Sequence, residues 1–165
     1  MSKFVIAAYV DNKYGVLTRV TSMFTRRGFN IDALTVGETE SPEYSRITIS
    51  LSGDGYAREQ LINQMKKLYN VKKVEVLEES ESIKRELMLI KVKNVSQTRS
   101  DILAAVDVFR AKVIDYSTDE MCIEITGEPT KIDAFIKLMI PYGILEMCRT
   151  GIVALERGSG TLLSK

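Results

Sequence analysis

Two distant stretches of the chain follow one rule. Ile47-Thr48-Ile49-Ser50-Leu51-Ser52-Gly53 and Met121-Cys122-Ile123-Glu124-Ile125-Thr126-Gly127 each place an apolar residue at every second position, then stop at a hydroxyl residue and a glycine. Side chains alternate across a strand, so this period sends one face of each segment into a core. The segments around them repeat too. In the first half, Phe4 to Val10 reads as a strand, Val16 to Arg27 as a helix, and Ile31 to Thr39 and Ser45 to Ser52 as strands. Arg58 to Asn70, with Leu61, Met65 and Leu68 on one face, reads as a helix, and Val71 to Leu77 as a last strand. In the second half, Glu86 to Lys93, Lys112 to Tyr116, Met121 to Thr126 and Ile144 to Leu155 read as strands, with helices over Arg99 to Arg110 and Lys131 to Met139. The order is βαββαβ, twice. It predicts an α+β chain of two modules, each an antiparallel sheet with helices on one face. The boundaries are a first module over 1–78, a polar acidic linker over 79–85, a second module over 86–157 and a flexible Gly/Ser tail over 158–165.

Composition removes whole classes of function. Lys plus Arg number 23 and Asp plus Glu 22, so no basic excess points to nucleic acid or to an anionic membrane surface. Histidine is absent, which takes away the usual general base, the commonest metal ligand and the Ser-His and Cys-His nucleophile pairs. Cys122 and Cys148 lack the spacing of a zinc or redox pair; they read as small strand residues and free thiols, suited to a reducing cytoplasm. The apolar run Phe4 to Val10 meets Asp11-Asn12-Lys13 at once, so it reads as a strand and not as a signal-peptide core. Nothing approaches the ~20 apolar residues of a membrane span.

The richest local feature is the turn after the first strand, Asn12-Lys13-Tyr14-Gly15-Val16-Leu17. It opens directly onto a helix whose apolar residues Leu17, Val20 and Phe24 keep helical spacing. A helix N-terminus offers N–H groups with no intrahelical partner and a partial positive charge, which suits a small carboxylate. Gly15 permits close approach. Asn12 and Asn30 carry carbonyl oxygens able to receive an ammonium, and Val16, Leu17 and Ile31 are apolar surfaces for a side chain. Taken from the residues alone, a plainer alternative stands beside this one: Asn12 as a turn or capping residue, Gly15 as a turn glycine, Asn30 as the residue after the helix stop at Gly28. Arg19, Arg26 and Arg27 read as a solvated helix face. The exposed edge and thin polar face of such a sheet predict pairing with a second copy.

Several blocks in order resemble one family. Asn12-x-x-Gly15-Val16-Leu17-x-Arg19-Val20, Phe24-x-Arg26-Arg27-Gly28-Phe29-Asn30-Ile31, Leu34-x-Val36-Gly37-x-Thr39-Glu40 and Gly53-Asp54 are similar to the regulatory (small) subunit of acetolactate synthase, also called acetohydroxyacid synthase. Arg85 to Val92, Phe109 to Asp115 and Arg149 to Gly158 resemble its second half, so the likeness spans nearly the whole chain. Asp11, where Glu is more usual, and Ala33, where Ser is common, are mild departures. The resemblance implies an N-terminal ACT domain, the amino-acid-sensing βαββαβ module, and a C-terminal ferredoxin-like module. It implies a chain without catalytic residues, metal or cofactor of its own. Such a chain forms a homodimer through its ACT domains and activates a catalytic subunit that uses thiamine diphosphate, magnesium and FAD. It also implies feedback inhibition by valine or another branched-chain amino acid. The effector site it implies draws on Asp11, Asn12, Gly15, Val16 and Leu17 of one protomer and Asn30 and Ile31 of the other.

Other readings of the same order fare worse. A stand-alone ACT-type regulator of another metabolic enzyme is the nearest alternative. A small enzyme would need a carboxylate pair, and no spacing singles out Asp32, Glu38 or Glu124. An RNA-binding module stacks bases on aromatic residues of its central strands, and Ser45 to Ser52 has none. A metal-chaperone module lacks its cysteine pair here. The second module's equivalent turn, Asn94-Val95-Ser96-Gln97-Thr98, has no Gly-Val-Leu after it and is expected to bind no effector.

Overall fold

The computed structural model describes residues 2–163. The first unit is built from β1 (Ser2–Asp11), α1 (Val16–Arg26), β2 (Ile31–Glu38), β3 (Tyr44–Gly53), α2 (Gly55–Lys66) and β4 (Val71–Leu77). Its strands lie in the order β2-β3-β1-β4 and every pair is antiparallel. The second contains β5 (Ser82–Lys93), α3 (Arg99–Val108), β6 (Lys112–Tyr116), β7 (Glu120–Gly127), α4 (Pro129–Met139) and β8 (Ile144–Arg149), in the order β6-β7-β5-β8. The two orders are the same once the numbering is shifted, so the repeat seen in the sequence is a repeat of topology, and the α+β class holds.

Strand β1 shows why one sheet has two unlike faces. Phe4, Ile6, Ala8 and Val10 join Ile47, Ile49 and Leu51 of β3 beneath Val16, Val20, Met23 and Phe24 of α1 and Leu61 and Met65 of α2. The intervening Val5, Ala7 and Tyr9 point the other way, into a small separate cluster. In the second unit Met88, Ile90 and Val92 meet Ile123 and Ile125 under Ile102, Val106, Ile132 and Phe135. Phe109 and Phe135 pack edge to face at 5.2 Å.

Several boundaries move for local reasons. Helix α2 starts at Gly55 because the Asp54 carboxylate caps it, accepting from the Ala57 N–H at 2.8 Å. The stretch expected to be a linker tightens instead into a turn, in which the Ser82 hydroxyl donates to the Glu78 carbonyl at 2.7 Å and β5 has already begun. The last strand is broken. Gly151, at φ 80, separates β8 from β9 (Val153–Glu156).

The greatest departure from expectation concerns the chain's end. The sequence reading counts 152–157 with the second module and leaves 158–165 as a flexible tail, whereas the segment from Ile152 to Leu163 groups with the first unit; residues 164–165 lie outside the described residues. Ala154 and Leu162 are buried against Val5, Ala7, Tyr9 and Leu77, with Tyr44 and Ile152 at the margin. The Arg46 guanidinium of β3 donates from Nη2 to the Ala154 carbonyl at 2.8 Å, and the Arg157 N–H donates to Glu81 at 2.8 Å. Burial pushes the Arg46 guanidinium below its ordinary pKa, partly offset by the charges of Glu156 and Glu40.

Among the described residues no helix is long and apolar enough to cross a membrane. The two cysteines lie on strands, Cys122 half-buried in β7 and Cys148 exposed in β8.

Candidate functional site

The turn between β1 and α1 is held from below by backbone. The Asp11 N–H donates to the Asn70 carbonyl (2.9 Å), the Asn12 N–H to Glu43 (2.8 Å) and the Lys13 N–H back to Asp11 (3.0 Å). Gly15 sits at the N-cap of α1 with φ 78, a left-handed conformation that a side-chain-bearing residue adopts only at a cost. It supplies no side-chain cap, and no acidic residue occupies the first turn. Val16 uses its N–H on Lys13 at 3.3 Å. The N–H groups of Gly15, Leu17 and Thr18 meet no acceptor among the described residues. They are donors at the positive end of a helix dipole, in a place where a Cβ on Gly15 would meet nothing within 4 Å. Val16 is buried, and Leu17 beside it is 41% exposed.

Asn12 has a mixed role. Its Nδ2 donates to the Pro42 carbonyl at 2.9 Å and to Glu38 Oε1 at 3.1 Å, tying the turn to the β2–β3 connection. Its Oδ1 accepts nothing among the described residues and stays available to a donor. Both readings of Asn12, turn residue and ligand residue, are therefore compatible with one side chain.

Asp11 is buried, at 6% exposure, and its carboxylate is committed. Oδ2 accepts from Asn70 Nδ2 at 2.9 Å, and Oδ1 faces Lys72 Nζ at 3.2 Å; Arg19 Nη1 in turn donates to Asn70 Oδ1 at 2.8 Å. The Asn70 hydrogen bond, with help from Lys72, holds Asp11 below the ordinary carboxylate pKa despite its burial. A carboxylate whose folded pKa is depressed stabilises the fold above its unfolded pKa and loses that contribution as pH falls through the folded value. Asp11→Asn is accordingly expected to melt earlier than the parent at pH 7, with the gap closing below about pH 4, where the unfolded carboxylate protonates. Thermal melts of both proteins at several pH values check this; a gap that stays constant to pH 3 contradicts it.

Asn30 and Ile31 lie elsewhere. They follow the C-terminal end of α1, and at 1.5 Å per residue its 11 residues put about 16 Å between that end and Gly15. Ile31 pairs with Leu51, at the far end of the sheet from the Asp11–Tyr44 pair. One chain therefore cannot bring the two halves of the expected site together. Asn30 is exposed, and Ile31 is partly buried at the start of β2, a strand at the end of the sheet.

The second unit repeats the turn, but its asparagine amide is fully used. The Asn94 N–H donates to the Asp119 carbonyl at 2.8 Å, as Asn12 does to Glu43. Asn94 is buried, however, with Nδ2 on the Ser117 carbonyl and Oδ1 accepting from Arg99 Nε. Both ends of its amide are consumed.

Sequence reasoning did not find Asn70, Glu38, Pro42 or Glu43, whose link to the turn comes from pairings distant along the chain. Arg19 lies on the exposed helix face as expected and is also the outer member of the Asn70–Asp11–Lys72 chain.

Residues 6–73 match the family model described as AHAS small subunit-like ACT domain, and residues 85–158 match that of the small subunit of acetolactate synthase. The chain is 46% identical over 159 residues to a probable acetolactate synthase small subunit of Methanothermobacter thermautotrophicus, covering 96% of this chain and 95% of that one. It is 47% identical over 153 residues to the acetolactate synthase small subunit of Mycolicibacterium smegmatis, covering 93% and 90%. The crystal structure of an acetolactate synthase small subunit from Thermotoga maritima superposes with a TM-score of 0.89 at 40% identity, covering 97% of this chain and 100% of that one.

Proposed function

The chain belongs to the acetolactate synthase small-subunit family, and from that membership we propose that it is the non-catalytic, cytoplasmic partner of a thiamine-diphosphate-dependent catalytic subunit. It activates that subunit and makes it sensitive to valine or another branched-chain amino acid. Thiamine diphosphate, magnesium and FAD belong to the catalytic partner; the work of this chain is recognition.

The observation that carries the reading is the open end of α1. The N–H groups of Gly15, Leu17 and Thr18 point to an acceptor the chain does not itself supply. A free amino acid supplies a carboxylate there, sends its ammonium to Asn12 Oδ1, and lays a branched apolar side chain on Leu17. Asp11 holds the turn, because its carboxylate is already engaged by Asn70 and Lys72. Asn30 and Ile31 belong to the site by way of a second copy, whose α1 end and β2 edge lie against the first copy's turn. A homodimer brings them together and shelters the edge of β2, where Val36 is 42% exposed. A ligand that bridges two copies favours one arrangement of them over another, and that differential affinity is what regulation of a third chain requires.

Calorimetric titration of the purified chain with valine, leucine and isoleucine tests the reading. We expect valine to bind with one site per chain, since each copy contributes one open turn and the closed turn at Asn94 contributes none. Sedimentation in the same buffer should give the dimer mass. A second valine per chain in the Asn94 turn, or a monomer that binds valine at full strength, contradicts the assignment.

A further inference from the structure

The segment from Ile152 to Leu162 is a short cover on the first sheet, and its strand β9 pairs with β5. Only Ala154 and Leu162 bury their side chains against the outer face of the first sheet, while Val153 and Leu155 remain 49% and 62% exposed. The four-residue strand β9 lies between two left-handed glycines, Gly151 at φ 80 and Gly158 at φ 67, which no side chain restrains. Arg46, which anchors the segment through the Ala154 carbonyl, keeps its buried Nε without an acceptor. The docked state combines the pairing of β9 with β5, the Arg157–Glu81 backbone hydrogen bond and two buried side chains with one unsatisfied buried donor, a cost that the seated segment carries.

What lies under the cover connects directly to the open turn. Arg46 pairs with Tyr9 across the β1–β3 ladder, and Tyr9 stacks on Tyr44 at 4.9 Å; Tyr9 and Tyr44 both touch the cluster that Ala154 and Leu162 complete. Immediately before Tyr44, the Pro42 and Glu43 carbonyls are the acceptors for Asn12 Nδ2 and the Asn12 N–H. Residues 42–46 thus touch Asn12 at one end and the C-terminal segment at the other. We propose that residues 152–162 are a strap whose seating on the first sheet is coupled through residues 42–46 to the Asn12–Leu17 turn. Effector binding tightens the strap, and a seated strap raises effector affinity. The inference rests on the effector site proposed above. The physical cause of the coupling is that an effector bound at Asn12 Oδ1 fixes the amide whose other end holds Pro42 in place, and coupling between two sites is reciprocal.

Hydrogen exchange on the full chain, with valine binding followed by calorimetry in the same buffer, tests the proposal. Saturating valine is expected to slow exchange of the Val153–Glu156 amides about five-fold or more, the lower end of ordinary coupling. Valine heat with unchanged exchange over 152–162 overturns the strap and leaves the effector site standing. No valine heat overturns the effector site and the strap with it. In the reciprocal arm, Leu162→Asp unseats the strap, and the valine Kd is expected to rise about five-fold or more while far-UV circular dichroism stays native. An unchanged Kd overturns the proposal. Leu162→Ala replaces the aspartate variant should that one not fold.

Discussion

Gly15→Asp is expected to abolish valine binding, with the Kd rising about 100-fold or more and inhibition of the reconstituted synthase by valine disappearing. The new carboxylate stands where the effector carboxylate would sit, and like charges brought together in a recognition site cost several kcal/mol. A second effect acts in the same direction. Gly15 holds φ 78, so any side-chain-bearing residue strains the turn by about 1–2 kcal/mol. Gly15→Ala separates the two, since it carries the strain without the charge and meets no steric obstacle within 4 Å. We expect the alanine variant to weaken valine far less than the aspartate variant does. Equal Kd values for parent and Gly15→Asp would move the effector away from this helix end.

Arg149→Met is expected to destabilise the second unit by about 3 kcal/mol, the lower end for breaking a buried ion pair. Arg149 donates from Nε and Nη2 to the two oxygens of Glu86 at 2.7 and 2.8 Å, and from Nη1 to Asp133 at 3.0 Å. The bonds to Glu86 lift the guanidinium pKa above its ordinary value. Glu86 is only 4% exposed, so removing the arginine strands a carboxylate that water cannot reach. The lower end is appropriate because the Arg149 side chain is 34% exposed. In a unit of this size that loss lowers the melting midpoint by about 12 °C or more. Adding Glu86→Leu should restore much of it, because the stranded charge is then gone. A shift of only a degree or two in Arg149→Met would show that the pair contributes little.

The two predictions draw on very different amounts of sequence information. The turn at Gly15 was legible because a short apolar strand run, a glycine and a helix-spaced apolar set follow one another within a few residues. Period-two alternation marked a central strand of each sheet, since Ile47, Ile49 and Leu51, and Ile123 and Ile125, can bury on one side only as strands. The Arg149–Glu86 pair gave no such signal. Its members sit on β8 and β5, and nothing local to either names the other. The same is true of Asp11, whose partners Asn70 and Lys72 arrive on the far side of α2. The seating of the C-terminal segment was hidden for another reason. Ala154 and Leu162 are two isolated apolar anchors separated by Gly158-Ser159-Gly160, a composition that reads as a flexible tail. Asn30 and Ile31 belong to a third kind. Their distance from Gly15 along α1 is plain in the fold, and the proposed site takes them from a second copy.

That last point admits a direct measurement. In the proposed shared site, Gly15→Asp damages the turn half and Asn30→Asp the half that the other copy would contribute. Each homodimer should therefore be silent to valine. Mixed under conditions that exchange subunits, the two variants form heterodimers with one site built from two sound halves, so calorimetry should recover about a quarter of the parent's binding sites per chain. Subunit exchange with no recovered heat would show that turn and β2 start do not form a common site, and the account of an effector held between two copies would be wrong.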